Sequence, residues 1–465
     1  MTERKFLLPI LLFSHFVFLF FTRFTLWPEM VVYPYLLNHG FLLYRDIINP
    51  YPPLLLYKLS FFANIAGYQP LPYQILAWSI ILMTDILIFK LAKILTGKTS
   101  SAVLATVFFM ILSIPLGVNG LWFDLVQTPL VLISVFFFGR FMERKSDYKS
   151  LIISSLALSI AFFIKQQALW LVIWFLANML FYSRGNLKKI DKPVFILVAP
   201  LAVGIFIEAL IFLPQNLLND FVFWTIALPF FKASSMPGYV LLPTLRQLLV
   251  VAGLFVLLAP VILKRDRVGN FYLLSAAVLV LFAYPRFDYF HLIPALSVLA
   301  LSAATALDDF KKSKRIVLLL SLLALLLLSA ATARYLQRNW TREVRFFEKD
   351  VYQAAGILSK INTKDKPVFL QNVSGQILPL SQTLPTKPWA DSFPWYLESP
   401  SLQTNIVAGV LNEKPDFVLY KPYSGDGAYE LSSYRPRKIA DFIDGSYAQL
   451  RDIPGGLILK MRLFK

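Results

Sequence analysis

Runs of apolar residues long enough to cross a bilayer, separated by short clusters of lysine and arginine, recur from the N-terminus to about residue 333. A spanning helix needs about 20 such residues. Backbone N–H and C=O groups inside a bilayer have no water to bond, so a run of this kind is held to a helix. Eleven spans are expected: Phe6–Leu26, Leu71–Leu95, Ser101–Leu116, Asp124–Met142, Leu151–Ile164, Ala168–Phe181, Pro193–Leu213, Gln247–Leu263, Phe271–Tyr284, Leu292–Leu307 and Ile316–Ala333. The first is read as a retained span, because its apolar run is too long for a signal peptide and no small-residue cleavage site follows it. Apolar types make up 57% of the 465 residues, above the roughly 45–50% of soluble domains.

The basic clusters set the orientation. Arg4 and Lys5, Lys90 to Lys98, Arg140 to Lys145, Arg184 to Lys192, Lys264 to Arg267 and Lys311 to Arg315 all fall on one face, which the positive-inside rule makes cytoplasmic. The net charge of +18 is explained by these clusters. It lies along no continuous face, so it gives no case for nucleic acid. The chain has no cysteine and only three histidines, His15, His39 and His291. Thiol catalysis, disulfides and Cys-ligated zinc are thereby excluded, and so few histidines argue against a His-rich metal site.

The acids and isolated bases gather on the other, outer face. Its longest loop, 27–70, carries Glu29, His39, Arg45, Asp46 and Asn49. Pro52 and Pro53 form a rigid corner at the start of the next helix. Asp124 stands at the outer end of the fourth span, and Lys165, Gln166 and Gln167 make the turn between the fifth and sixth. Arg286, Asp288 and His291 lie in a further short outer loop, YPRFDYFHLIP. Segment 214–246 reads as an interfacial helix plus a loop. From residue 334 the apolar runs shorten and Pro, Asp and Ser rise. Residues 334–465 are therefore expected to form a small extracytoplasmic α/β domain behind a transmembrane domain, 1–333. Helices are expected at 350–361 and 401–411, and strands at 367–371, 416–420 and 457–461.

Carboxylates beside a membrane can take a proton from an acceptor hydroxyl or hold a divalent cation. Glu29, Asp46 and Asp124 are the candidate catalytic residues, expected to line one outer cavity, and Asp124 and Glu29 are the acids open to a metal. Lys165 is either a snorkelling cation or a phosphate ligand, with Gln166 adding hydrogen bonds. Arg286 and His291 are candidates for the same anion, and Arg45 would keep a neighbouring carboxylate ionised.

Together these residues resemble the GT-C glycosyltransferases, and most the dolichyl-phosphate-mannose protein mannosyltransferase superfamily with its bacterial aminoarabinose-transferase relatives. The resemblance rests on Pro28-Glu29, on Gly40 with Leu43-Tyr44-Arg45-Asp46, on Pro52-Pro53-Leu54, on Asp124, on Lys165, and on Arg286 through Pro294. It implies a multi-pass enzyme of the cell membrane that takes a sugar from a polyprenyl-phosphate donor on the outer face. The acceptor would be a lipid, glycan or protein, and transfer would invert the anomeric carbon. Lys165, Arg286 and His291 would neutralise the leaving phosphate. Pro28 departs from the family pattern by replacing the first acid of a pair, which leaves Glu29 or Asp46 as the base, with Asp46 favoured. No cofactor is called for, and a divalent metal is the one that the outer acids leave open. A transporter, a lipid-linked glycan flippase or ligase, and a membrane scaffold are the alternatives; apart from Asp85 and Glu208, the spans lack the buried charges a transporter uses.

Overall fold

The computed structural model describes residues 6–144, 147–183, 190–232, 239–264, 267–310, 315–362, 366–391, 397, 399–422 and 436–463. The protein is a multi-pass α-helical membrane protein with a small β-containing C-terminal segment. Among the described residues, five helices are long and apolar enough to cross a membrane: Pro70–Thr96, Phe123–Glu143, Asp191–Phe212, Tyr289–Ala306 and Arg315–Asn339. They coincide with five of the expected spans, and the other six fall on shorter apolar helices. Asp191–Phe212 and Arg315–Asn339 leave large apolar side chains such as Phe195, Phe206, Leu323 and Leu327 exposed, as a lipid-facing helix does.

Two expected spans end differently, for visible reasons. The first helix covers only Leu7–Phe21, and the chain is extended from Thr22 into a short strand, Phe24–Leu26. The side chain of Asn119 donates to the carbonyls of Leu19 and Thr22 at 2.8 and 2.9 Å, satisfying groups that a continuing helix would have bonded. The expected span at 247–263 is two helices, Leu245–Val256 and Ala259–Lys264. Pro260 is the cause. It has no N–H to give the carbonyl four residues back, and it stands in the first turn of Ala259–Lys264, where none is needed.

The chain divides into two compact units. The first comprises Met1–Phe24, Gln74–Ala209 and Leu241–Arg342. In it Phe123–Glu143 packs on Tyr148–Ile164, and Ile293–Phe310 packs on Arg267–Leu279 and Thr99–Ser113. Phe138 and Phe175 stack with centroids 3.8 Å apart. His15 Nδ1 and Asp85 Oδ2, both fully buried, meet at 2.7 Å and tie Leu7–Phe21 to Pro70–Thr96.

The second unit comprises Thr25–Tyr73, Leu210–Val240 and Glu343–Lys465. Its four-stranded sheet runs Phe369–Gln371, Phe417–Tyr420, Leu457–Arg462, Tyr447–Ile453, with the first pair parallel and the others antiparallel. Strands Val344–Arg345 and Tyr447–Ile453 and helices Ile377–Ser381 and Arg437–Ser446 were not expected from sequence; the two helices and three strands that were expected lie close to their positions. Gly455 and Gly456, with φ of 86° and 72°, make the hairpin turn that joins the last two strands. Side chains with a Cβ rarely adopt that backbone conformation. Within 27–70, helices Val32–Asn38 and Leu54–Ala66 form, the latter starting directly after Pro52-Pro53. The expected interfacial segment becomes a short helix, Leu218–Val222, continued by a π-helix, Phe223–Lys232.

Candidate active site

Three of the expected residues come together in the first unit. Asp124 lies in the first turn of Phe123–Glu143, Lys165 at the junction of Tyr148–Ile164 and the turn Gln166–Ala168, and His291 in the turn Tyr289–Leu292. Lys165 Nζ is 2.7 Å from Asp124 Oδ2. His291 Nδ1 is 2.8 Å from the same oxygen and 3.2 Å from Lys165 Nζ. One arrangement satisfies all three groups: His291 Nδ1–H and the Lys165 ammonium both donate to the carboxylate, and the Lys165–His291 approach is then a contact between two donors. Gln127 completes the group, its Nε2 donating to Asp124 Oδ1 at 3.3 Å.

Burial decides how to read Lys165. Its side chain is 1% exposed and that of Asp124 is 0% exposed, so the snorkelling reading does not hold. A buried pair of this kind keeps its charges only because each neutralises the other. The same contact bears on whether Asp124 could hold a metal, because an ammonium already sits on the carboxylate and would repel a divalent ion. Asp124, so paired, does not fit a metal. No group of three or more potential metal ligands occurs among the described residues.

Gln166 is buried in the same turn, and Gln167 Oε1 has no partner among the described residues. Arg286 is half-buried. Its backbone is fixed by a parallel bridge to Leu241, with Phe287 N donating to the Leu241 carbonyl at 2.8 Å. Asp288 caps the following turn by accepting from Tyr289 N at 2.6 Å.

Glu29 and Asp46 belong to the second unit. Glu29 lies in the turn Pro28–Met30 and is 1% exposed. Its Oε2 has no hydrogen-bond partner among the described residues. Burial first, and then the charge of Asp391, push its pKa well above the ordinary carboxylate range. A carboxyl in that state holds its proton and makes a poor base.

Asp46 is differently placed. It sits in a tight turn in which Tyr44 has φ 73° and donates its N–H to the Ile47 carbonyl at 2.8 Å. A left-handed backbone at a bulky residue is held only where packing over-determines it. Here the Tyr44 hydroxyl donates to the Tyr51 carbonyl at 2.9 Å, and its ring packs on Phe212 and Phe221. Asp46 Oδ2 accepts from Leu42 N at 3.0 Å and from Lys387 Nζ at 3.0 Å. The cation on Asp46 is therefore Lys387. Arg45, expected to serve a neighbouring carboxylate, donates to the Asn216 carbonyl and lies 3.4 Å from Asp220. The side chains of Arg45 and Asp46 thus go to different partners, and the cation next in sequence is not the one that meets the carboxylate.

Sequence reasoning missed Gln127, Lys387 and Asp391. Gln127 follows Asp124 by three positions on one helix and so shares its face, a signal that was available. Lys387 and Asp391 lie in KPWAD, which has no local pattern to mark it. Backbone pairing places it: Trp389 N donates to the Asp46 carbonyl at 2.7 Å, and Ile48 N to the Trp389 carbonyl at 2.9 Å.

The chain shares its fold with solved structures of ArnT at low sequence identity. It is similar to the crystal structure of ArnT from Cupriavidus metallidurans bound to undecaprenyl phosphate, with a TM-score of 0.61 and 12% identity over 99% of this chain and 98% of that one. The apo ArnT structure from the same organism gives a TM-score of 0.58 and 11% identity, over 99% and 97% of the two chains. Residues 50–212 match the family model for dolichyl-phosphate-mannose-protein mannosyltransferase. No curated protein matches.

Proposed function

We propose that this protein is a membrane glycosyltransferase that moves a sugar from a polyprenyl-phosphate donor to an acceptor on the outer face of the membrane. The observation that carries the reading is the buried Asp124–Lys165–His291 group at the heads of three helical segments, in a fold shared with a protein crystallised with undecaprenyl phosphate. Lys165 is the phosphate ligand. Asp124 and His291 hold it in place, so that its charge is pre-aligned when the phosphate becomes a leaving group. Arg286 and Gln166 add contacts to the same anion.

Asp46 is the base, with Lys387 as its fixed counterion. It takes the acceptor hydroxyl's proton as that oxygen attacks the anomeric carbon, and the carbon–oxygen bond to the phosphate breaks with its electron pair going to the phosphate. Glu29, protonated, serves as a hydrogen-bond donor in this scheme. The test is turnover of a defined polyprenyl-phosphate sugar by the purified chain in lipid. Release of free polyprenyl phosphate supports the reading. Its absence across sugars, with the wild-type chain folded, defeats it.

A further inference from the structure

The second unit contains a groove of about 350 Å³ that none of the roles above uses, within the size range of small-molecule sites. Three segments form it. The turn after Tyr44 contributes Arg45 and Ile48; the amphipathic segment Leu218–Lys232 contributes Asp220, Phe223, Trp224 and Leu228; the start of helix Pro400–Glu413 contributes Ser399, Ser401, Leu402 and Asn405.

Its chemistry is mixed in a particular way. Arg45 and Asp220 face each other at 3.4 Å and cancel in charge. Both contacts of Arg45 among the described residues, to Asp220 and to the Asn216 carbonyl, use Nη2, and its other guanidinium nitrogens make none there. The Trp224 indole N–H and the Asn405 amide make no hydrogen bond among the described residues. The groove thus offers donors and acceptors of several kinds beside an aromatic surface, with no net charge. A phosphate or carboxylate would meet the Asp220 carboxylate without a surplus cation to offset it. A purely apolar chain would strand the guanidinium, the carboxylate and the amide. A neutral sugar ring suits all of them. Its hydroxyls each donate and accept, its C–H face packs on an aromatic ring, and adjacent hydroxyls reach a guanidinium or carboxylate in pairs.

We infer that this groove binds a neutral saccharide, the acceptor-side glycan of the proposed transfer. The inference rests on that transferase reading for the word acceptor, but not for the saccharide. Arg45 immediately precedes Asp46, the proposed base, and Pro388 in the groove wall immediately follows Lys387, which holds Asp46. A glycan seated here is therefore held by the same two segments that fix the carboxylate.

The experiment is binding of the full-length chain, in lipid nanodiscs, to an array of neutral and phosphorylated glycans. It is repeated with Trp224→Ala and Asn405→Ala. The wild-type chain is expected to retain neutral hexose-containing glycans. Each variant should lose about tenfold in apparent affinity, the scale of a lost stacking or hydrogen-bond contact. Asn405 is exposed on its helix, so that variant should keep its melting temperature even if Trp224→Ala does not fold. Failure to bind any neutral glycan, binding to phosphorylated glycans alone, or neutral binding undiminished in folded Asn405→Ala would each overturn the assignment. The two readings separate cleanly. Glycan binding without donor turnover removes the transferase and leaves the saccharide site, whereas donor turnover without glycan binding removes only the site.

Discussion

Lys165 Nζ lies 2.7 Å from Asp124 Oδ2, with both side chains closed off from solvent. A buried pair gains little over an apolar pair of the same shape, but each half is costly alone. Lys165→Met or Asp124→Leu alone should destabilise the chain by about 3–5 kcal/mol. The double variant should recover most of that stability while remaining inactive. Thermal midpoints in detergent, read beside turnover, test this. A double variant no more stable than the singles would mean the pair is not what holds these helices, and an active one would remove Lys165 from the phosphate.

The two loop carboxyls differ in surroundings, and the isosteric amides tell them apart. Loss of a general base costs about 10²–10⁴-fold in rate. Asp46→Asn should fall in that range and Glu29→Gln well short of it. Lys387→Met should lower kcat more than it raises the donor KM, because it disturbs Asp46 and not the phosphate. Near-normal kcat in Asp46→Asn would hand the role to another group.

Glu29 also predicts a pH dependence. Its folded pKa is raised from an ordinary 4.5, first by burial and then by Asp391. The folded state therefore keeps a proton that the unfolded state releases as pH rises past about 4.5. The stability this contributes is fully present below that pH and is lost as pH climbs toward the folded value. Glu29→Gln should flatten this fall. Melting curves across acidic to neutral pH would show it, and parallel curves for the two proteins would contradict it.

The orientation is open to a direct check, because the chain has no native cysteine. Gln69 and Lys98 are both exposed and flank the long helix Pro70–Thr96. Gln69→Cys should react with an impermeant thiol reagent in intact cells, and Lys98→Cys only after permeabilisation. The opposite pattern would invert the topology.

Helices were legible wherever one property fixed them. Apolar length placed Pro70–Thr96 and Phe123–Glu143 to within a residue or two, and Pro52-Pro53 marked the start of Leu54–Ala66. Pro260 could have been read as the break it makes. The end of the first helix at Phe21 could not, because the group that satisfies its last carbonyls is Asn119, about a hundred residues away. The candidate site divides in the same way. Asp124, Lys165 and His291 stand out as polar residues where a span begins or ends, and they do meet. The cation on Asp46 was misread because chain adjacency, which suggested Arg45, says nothing about which side chains converge.

The bond between Asp46 and Lys387 joins positions 341 residues apart. On the ribosome, loop 27–70 is made early and its brace very late. Until KPWAD has been synthesised and has paired with residues 46–48, Asp46 has no counterion and Glu29 has no Asp391 beside it. A chain stopped between residues 340 and 386 would carry all five long apolar helices and the whole Asp124–Lys165–His291 group, yet would leave loop 27–70 without its brace. Nonsense mutations between residues 340 and 386 should therefore behave as null alleles and not as mild truncations, although they spare every helix that holds the Asp124–Lys165–His291 group.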